Sequence, residues 1–159
     1  PSMDRIVTVS GDAIEEPGNF KVPFGMNQAE LIEAAGGYKV DPEKIISGGP
    51  MMGFSMFTVD VPVTKTSSSI LCFTKDEVAQ YEPTACINCG RCVEVCPSRL
   101  IPSRLADYAE HHDEEAFTKH EGLECMECGS CSYVCPAKRQ LKQAIGSMRK
   151  TALANRKKK

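Results

Sequence analysis

Two stretches decide how this chain is read: Cys86-Ile-Asn-Cys89-Gly-Arg-Cys92-Val-Glu-Val-Cys96-Pro97 and Cys125-Met-Glu-Cys128-Gly-Ser-Cys131-Ser-Tyr-Val-Cys135-Pro136. Both have the form C-x2-C-x2-C-x3-C-P, and the second begins 39 residues after the first. Seven of the twelve positions are identical, among them Gly90/Gly129, Val95/Val134 and Pro97/Pro136, so this is an internal repeat. Three closely spaced thiols let a loop wrap one corner of a metal cluster. The glycine inside each loop lets backbone N–H groups approach the sulfurs. A cubane of four irons needs one thiolate per iron, and in two-cluster chains the fourth Cys of each run ligates the other cluster. The spacing therefore assigns Cys86, Cys89, Cys92 and Cys135 to one [4Fe-4S] cluster, and Cys125, Cys128, Cys131 and Cys96 to a second. Zinc is the competing metal, but one four-cysteine zinc site would use half of these thiols and give the repeated proline no role.

Working outward, the rest of the composition agrees. The chain has 159 residues and nine cysteines. The odd count and the tight grouping argue against a disulfide scaffold, and without a secretory leader they point to metal and a reducing compartment. Length allows one domain or two small ones. No run of 18 apolar residues exists, so no transmembrane segment is expected. The chain opens on Pro1 rather than Met, which reads as a fragment. A formal net charge of −2 argues against a general nucleic-acid binder.

That charge is unevenly spread. Residues 1–80 carry 6 basic and 11 acidic side chains, residues 81–137 carry 4 and 10, and residues 138–159 carry 9 basic and none acidic. A basic arm thus follows an acidic body. It reads either as a solvated helix end or as a contact with an acidic partner or an anionic membrane surface.

Ahead of the cysteine runs the pattern is short strands with one helix. Arg5–Val9, Phe20–Phe24, Lys44–Ser47, Phe54–Thr58 and Ser69–Phe73 read as strands, with Pro23 favouring a sheet edge. Asn27 to Ala35 reads as a helix, with Asn27 as N-cap, Glu30 completing a capping box, Met26 and Leu31 as a hydrophobic staple, and Gly36-Gly37 ending it. Gly48-Gly-Pro-Met-Met-Gly53 reads as a wide turn, or as a loop that approaches a flavin or a partner. It is neither a dinucleotide fingerprint nor a P-loop. Cys72, flanked by Leu71 and Phe73, is expected in the core.

Around the runs the periodicity turns helical. After Pro97, Ile101, Leu105, Tyr108 and Ala109 share a face, Pro102 suits the first turn of that helix, and Asp113 caps a short helix carrying Ala116 and Phe117. Leu141, Ile145, Met148 and Ala152 mark one face of a long helix in the basic arm. His111, His112 and His120 lie outside the runs and read as exposed helix positions. No nucleophile–base pair or paired carboxylates suggest catalysis by this chain alone.

With these residues in hand, the sequence resembles the C-terminal part of the C subunit of the Rnf (Rsx) ion-translocating electron-transport family. The resemblance runs through Arg5–Asp12, Pro17–Phe20, Ile46–Gly53, Cys86–Cys92 and Cys135–Lys138, and covers about residues 4–150. It implies an α+β chain: a β-grasp-like SLBB domain over residues 1–76, then an α-helical ferredoxin domain with two tandem Cys motifs over residues 77–159. It also implies an electron-transfer module of a membrane-associated NADH/ferredoxin oxidoreductase complex. The other components of that complex would be its partners, and it would sit peripherally on the cytoplasmic side of the bacterial inner membrane. FMN and NADH would bind only through preceding sequence absent here, so no residue is assigned to them. The related flavin-bearing polypeptide of respiratory complex I carries one cluster, and the doubled motif argues against it. Two alternatives stand beside this reading: a two-cluster component of another soluble redox enzyme, and a zinc-stabilised interaction or nucleic-acid module.

Overall fold

The computed structural model describes residues 2–157. They form two compact units, the first ending at Gln80 and the second beginning at Tyr81.

The first unit is built on β-branched, alternating strands. β1 (Asp4–Ser10) pairs antiparallel with β2 (Gly18–Pro23) and parallel with β5 (Ser69–Phe73). β3 (Lys44–Ser47) pairs antiparallel with β5 and with β4 (Phe54–Met56). The resulting order, β2-β1-β5-β3-β4, is a mixed five-stranded sheet of β-grasp type. Period-2 alternation turns Val7 and Val9 of β1 and Ile70 and Cys72 of β5 inward, where all four are essentially unexposed. They meet Leu31, Ile32 and Ala35 of the helix region, α1 spanning Gln28–Ala34. Burying each large aliphatic side chain is worth about 1.5–3 kcal/mol, and this cluster holds the helix to the sheet.

Local signals hold at most ends. Asn27 accepts from the backbone N–H of Ala29, and Gly36 and Gly37 leave the helix at φ +80 and +79. Met26 packs against the core containing Leu31. β2 is an edge strand, which accommodates Pro23. Boundaries move on three strands: β1 gains Asp4 and Ser10, β2 begins at Gly18 and stops at Pro23, and β4 stops at Met56, leaving Phe57 fully exposed. Gly48–Gly53 forms the turn of the β3–β4 hairpin, with Gly48 at φ +96 and the Gly53 N–H donating to Gly49.

The second unit is helical. α2 (Arg91–Glu94) and α5 (Ser130–Tyr133) are single turns inside the cysteine runs. Between the runs lie α3 (Pro102–Glu110) and α4 (Glu114–Lys119), and after them comes α6 (Leu141–Arg156). Asp113 caps α4 by accepting from Ala116 N–H at 2.9 Å. Leu105, Ala106, Phe117, Leu141, Ile145 and Met148 form the core, and five cysteines (Cys92, Cys96, Cys125, Cys131 and Cys135) pack on its edge. The expected face of α6 is buried as read, and Gly146 is buried with it. Ile101 departs from expectation. It occupies the N-cap position of α3 and is exposed, because a residue before N1 does not share the helical phase.

Candidate iron–sulfur sites

The two cysteine runs fold alike, conformation by conformation. Two residues after the first Cys of each run, Asn88 and Glu127 both sit at φ 55. Gly90 and Gly129 follow at φ 78 and 84 and open α2 and α5. Beyond each proline, Arg99 and Lys138 close the run at φ 53 and 52. The left-handed region costs a residue with a side chain about 1–2 kcal/mol. The same three positions carry it in both loops, which makes the turning-in of backbone and sulfur a shared design of the repeat.

Each loop directs its sulfurs to a cavity completed by the other run. Cys86, Cys89 and Cys92 line one cavity together with Cys135. Cys125, Cys128 and Cys131 line the other together with Cys96. Cys86 and Cys89 are exposed, and the other six are half-buried. Backbone donors reach the sulfurs: Leu100 N–H to Cys96 Sγ at 3.3 Å, and Glu127 N–H to Cys125 Sγ at 3.4 Å. Such N–H···S bonds favour the thiolate over the thiol. Burial works against them, pushing the Cys131 thiol up to about 11 and raising that of Cys125, while a hydrogen bond with Ser130 lowers Cys128. Iron binding therefore displaces protons from the most buried ligands.

Four thiols around each of two separate cavities, with backbone donors behind them, suit a cubane carrying one thiolate per iron. Among the described residues, no three His, Cys, Asp or Glu side chains stand close enough to share one metal ion. His111, His112 and His120 are exposed and line neither cavity, and His120 stacks on Tyr108 with ring centroids 5.1 Å apart.

Charged neighbours are where sequence reasoning stopped short. Arg139 lines the Cys86 cavity and reaches Asp107 at 2.7 Å and Glu110 at 3.0 Å. Burial opposes its charge, but the two carboxylates more than offset that and raise its pKa. Lys142 and Glu127 line the Cys125 cavity, and Glu127 accepts from Arg149 Nη1 at 3.2 Å. The exchange of Asn88 for Glu127 within the repeat was visible in the sequence. Arg149 was not, because it reaches Glu127 only once α6 has packed back.

Comparison with known proteins follows the same two-part division. The SLBB domain family matches residues 6–55, and the 4Fe-4S dicluster domain family matches residues 85–139. The matched SLBB span ends before β5, although β5 sits in the sheet between β1 and β3. Over 106 residues the chain is 47% identical to the C subunit of the proton-translocating ferredoxin:NAD(+) oxidoreductase complex of Clostridium ljungdahlii, covering 67% of this chain and 23% of the relative. Over 158 residues it is 42% identical to the C subunit of the Na(+)-translocating ferredoxin:NAD(+) oxidoreductase complex of Acetobacterium woodii, covering 99% and 36%. The C subunit of an ion-translocating oxidoreductase complex of Yersinia enterocolitica is 40% identical over 121 residues, covering 76% and 17%. The chain thus spans about a third or less of these relatives. Two [4Fe-4S] clusters are the cofactors that a dicluster domain with eight such cysteines implies.

Proposed function

We infer, from a chain that belongs to the C subunit family of Rnf-type ion-translocating ferredoxin:NAD(+) oxidoreductases, that its second unit is a two-site electron relay. When bound, each [4Fe-4S] cluster accepts and releases one electron without making or breaking a bond to substrate. The ligand sets are Cys86, Cys89, Cys92 and Cys135 for one site, and Cys125, Cys128, Cys131 and Cys96 for the other. The observation that carries this reading is the exchange of fourth cysteines: each cavity is lined by three cysteines of one run and the fourth of the other. That exchange puts cysteines four residues apart in one run, Cys92 and Cys96 or Cys131 and Cys135, into different sites, which favours electron passage between them.

The protein's own residues do the rest. Backbone N–H groups of Leu100 and Glu127 point at sulfurs. Arg139 and Lys142 supply positive charge, one at each cavity. The Cys86 site has two exposed ligands and is the one through which electrons pass to or from a partner. Those partners are the other polypeptides of a membrane redox complex, with FMN and NADH bound outside this stretch. Among the described residues no helix is long and apolar enough to cross a membrane, and the unit works at the cytoplasmic face as a peripheral element.

The test is ligand substitution. Cys96→Ser should disturb the spectrum of the site formed by Cys125, Cys128 and Cys131 and leave the Cys86 site intact, with Cys135→Ser giving the reverse. If each substitution disturbs only the site of its own run, the exchange is wrong. Iron and sulfide counts should approach about eight of each per chain, as two cubanes require; zinc in a colourless protein would overturn the reading altogether.

A further inference from the structure

We propose that the Glu127–Arg149 pair sets the reduction potential of the Cys96/Cys125/Cys128/Cys131 site separately from that of its repeat partner. The proposal rests on the ligand reading above. It starts from a difference at one repeat position. Asn88 and Glu127 occupy equivalent places, both at φ 55. One is neutral, and the other puts a carboxylate beside a cluster cavity, which it lines. Its own backbone N–H is bonded to Cys125 Sγ at 3.4 Å, which fixes the main chain of Glu127 against a ligand sulfur.

The carboxylate is held, not free. Arg149 Nη1 donates to it at 3.2 Å, and Arg149 Nε donates to the Leu123 carbonyl at 2.9 Å, which fixes the guanidinium from a second side. Both side chains are half-buried, 31% and 24% exposed, so water screens them less than it would a surface pair. The helix makes room for them. A Cβ at Gly146 would lie 3.0 Å from Glu127 Oε2. Glycine inside a helix is disfavoured relative to alanine, and here it opens the seat in which the carboxylate rests against α6.

A cluster becomes more negative when it takes an electron. A carboxylate nearby disfavours that step and a guanidinium favours it. The two halves of the pair therefore act in opposite directions on one site. A purely structural role would not do this: breaking the packing from either side would damage the site in the same sense.

The experiment is a reductive titration of the reconstituted full chain with dithionite and mediators, followed by EPR, with iron counted in every variant. In Glu127→Gln one of the two midpoint potentials should rise and the other stay in place. In Arg149→Gln the same potential should fall, and Arg149→Lys should restore it. Asn88→Asp should lower the other potential. The proposal is overturned if Glu127→Gln holds its iron and neither midpoint moves, or if Glu127→Gln and Arg149→Gln move a midpoint in the same direction. If Glu127→Gln and Asn88→Asp act on one and the same midpoint, the two-site ligand reading fails and takes the proposal with it. Should Glu127→Gln or Arg149→Gln lose iron, the other decides alone: a midpoint that stays in place, or moves against the stated direction, overturns the proposal.

Discussion

Gly11 sits at φ +121, and a Cβ there would overlap the carbonyl oxygen of Cys72. The conformation excludes other residues and the space excludes a methyl group. Gly11→Ala should therefore destabilise the first unit by about 3 kcal/mol, read as a lowered denaturant midpoint with an unchanged slope; an unchanged midpoint would contradict the packing. Cys72 itself is fully buried beside Tyr38. Burial pushes its thiol from 9.0 up to about 11. The folded state thus holds a proton that the unfolded chain gives up near pH 9. The associated stability is complete below that pH and is lost as pH rises towards 11, on the order of 2 kcal/mol in all. Cys72→Val should flatten the stability profile between pH 9 and 11, and a profile as steep as before would assign the loss elsewhere. The core role of Cys72 was legible because Leu71 and Phe73 placed it in an apolar strand; its link to Tyr38 joins positions distant in sequence.

Among elements, α3, α4 and α6 form an apolar core that does not depend on any one cysteine, through Leu105, Phe117, Leu141 and Ile145. The loops 86–99 and 125–138 have no such core and hold several left-handed residues. Where ligands meet only in the fold, binding energy is folding energy. Removing iron should speed amide exchange in those two loops first, while residues 102–119 and 141–156 keep protection longer. Uniform loss across residues 86–136 would show that the helices too depend on metal. That uniform loss is what a count of large apolar residues in this stretch would suggest, and it overlooks α6, which supplies three of the eight buried core residues (Leu141, Ile145 and Met148) from outside it. What separates the legible from the illegible is distance along the chain. Ligand spacing, caps and helix faces are fixed by offsets of a few residues, so the cysteine runs, Asn27, Asp113 and the Leu141/Ile145 face were readable. Arg149 with Glu127, and Arg139 with Asp107 and Glu110, join residues 22 to 32 apart and exist only after packing.

At the scale of the whole molecule, the basic arm that ends the chain divides its charges among unequal tasks. Arg139 and Arg149 are committed to carboxylates and Lys142 to a cavity wall. Lys150, Arg156 and Lys157 line the outer side of the arm, while Lys158 and Lys159 lie outside the described residues. Cutting the chain after Ser147 would remove the buried Met148 and Ala152 and the Arg149–Glu127 pair, so iron content would fall along with any surface contact. Replacing Lys150, Arg156 and Lys157 by Gln leaves the core in place and removes only outward charge. Each basic residue near an anionic lipid surface is worth about 1 kcal/mol, so the triple substitution should weaken binding to phosphatidylglycerol vesicles by up to about 100-fold at low salt. The difference from the unaltered chain should shrink as salt is raised, because exposed charges are screened within about 10 Å at 0.1 M. Iron content should stay at two clusters per chain. Vesicle binding equal to that of the unaltered chain at every salt concentration would leave these three residues as the solvated end of α6.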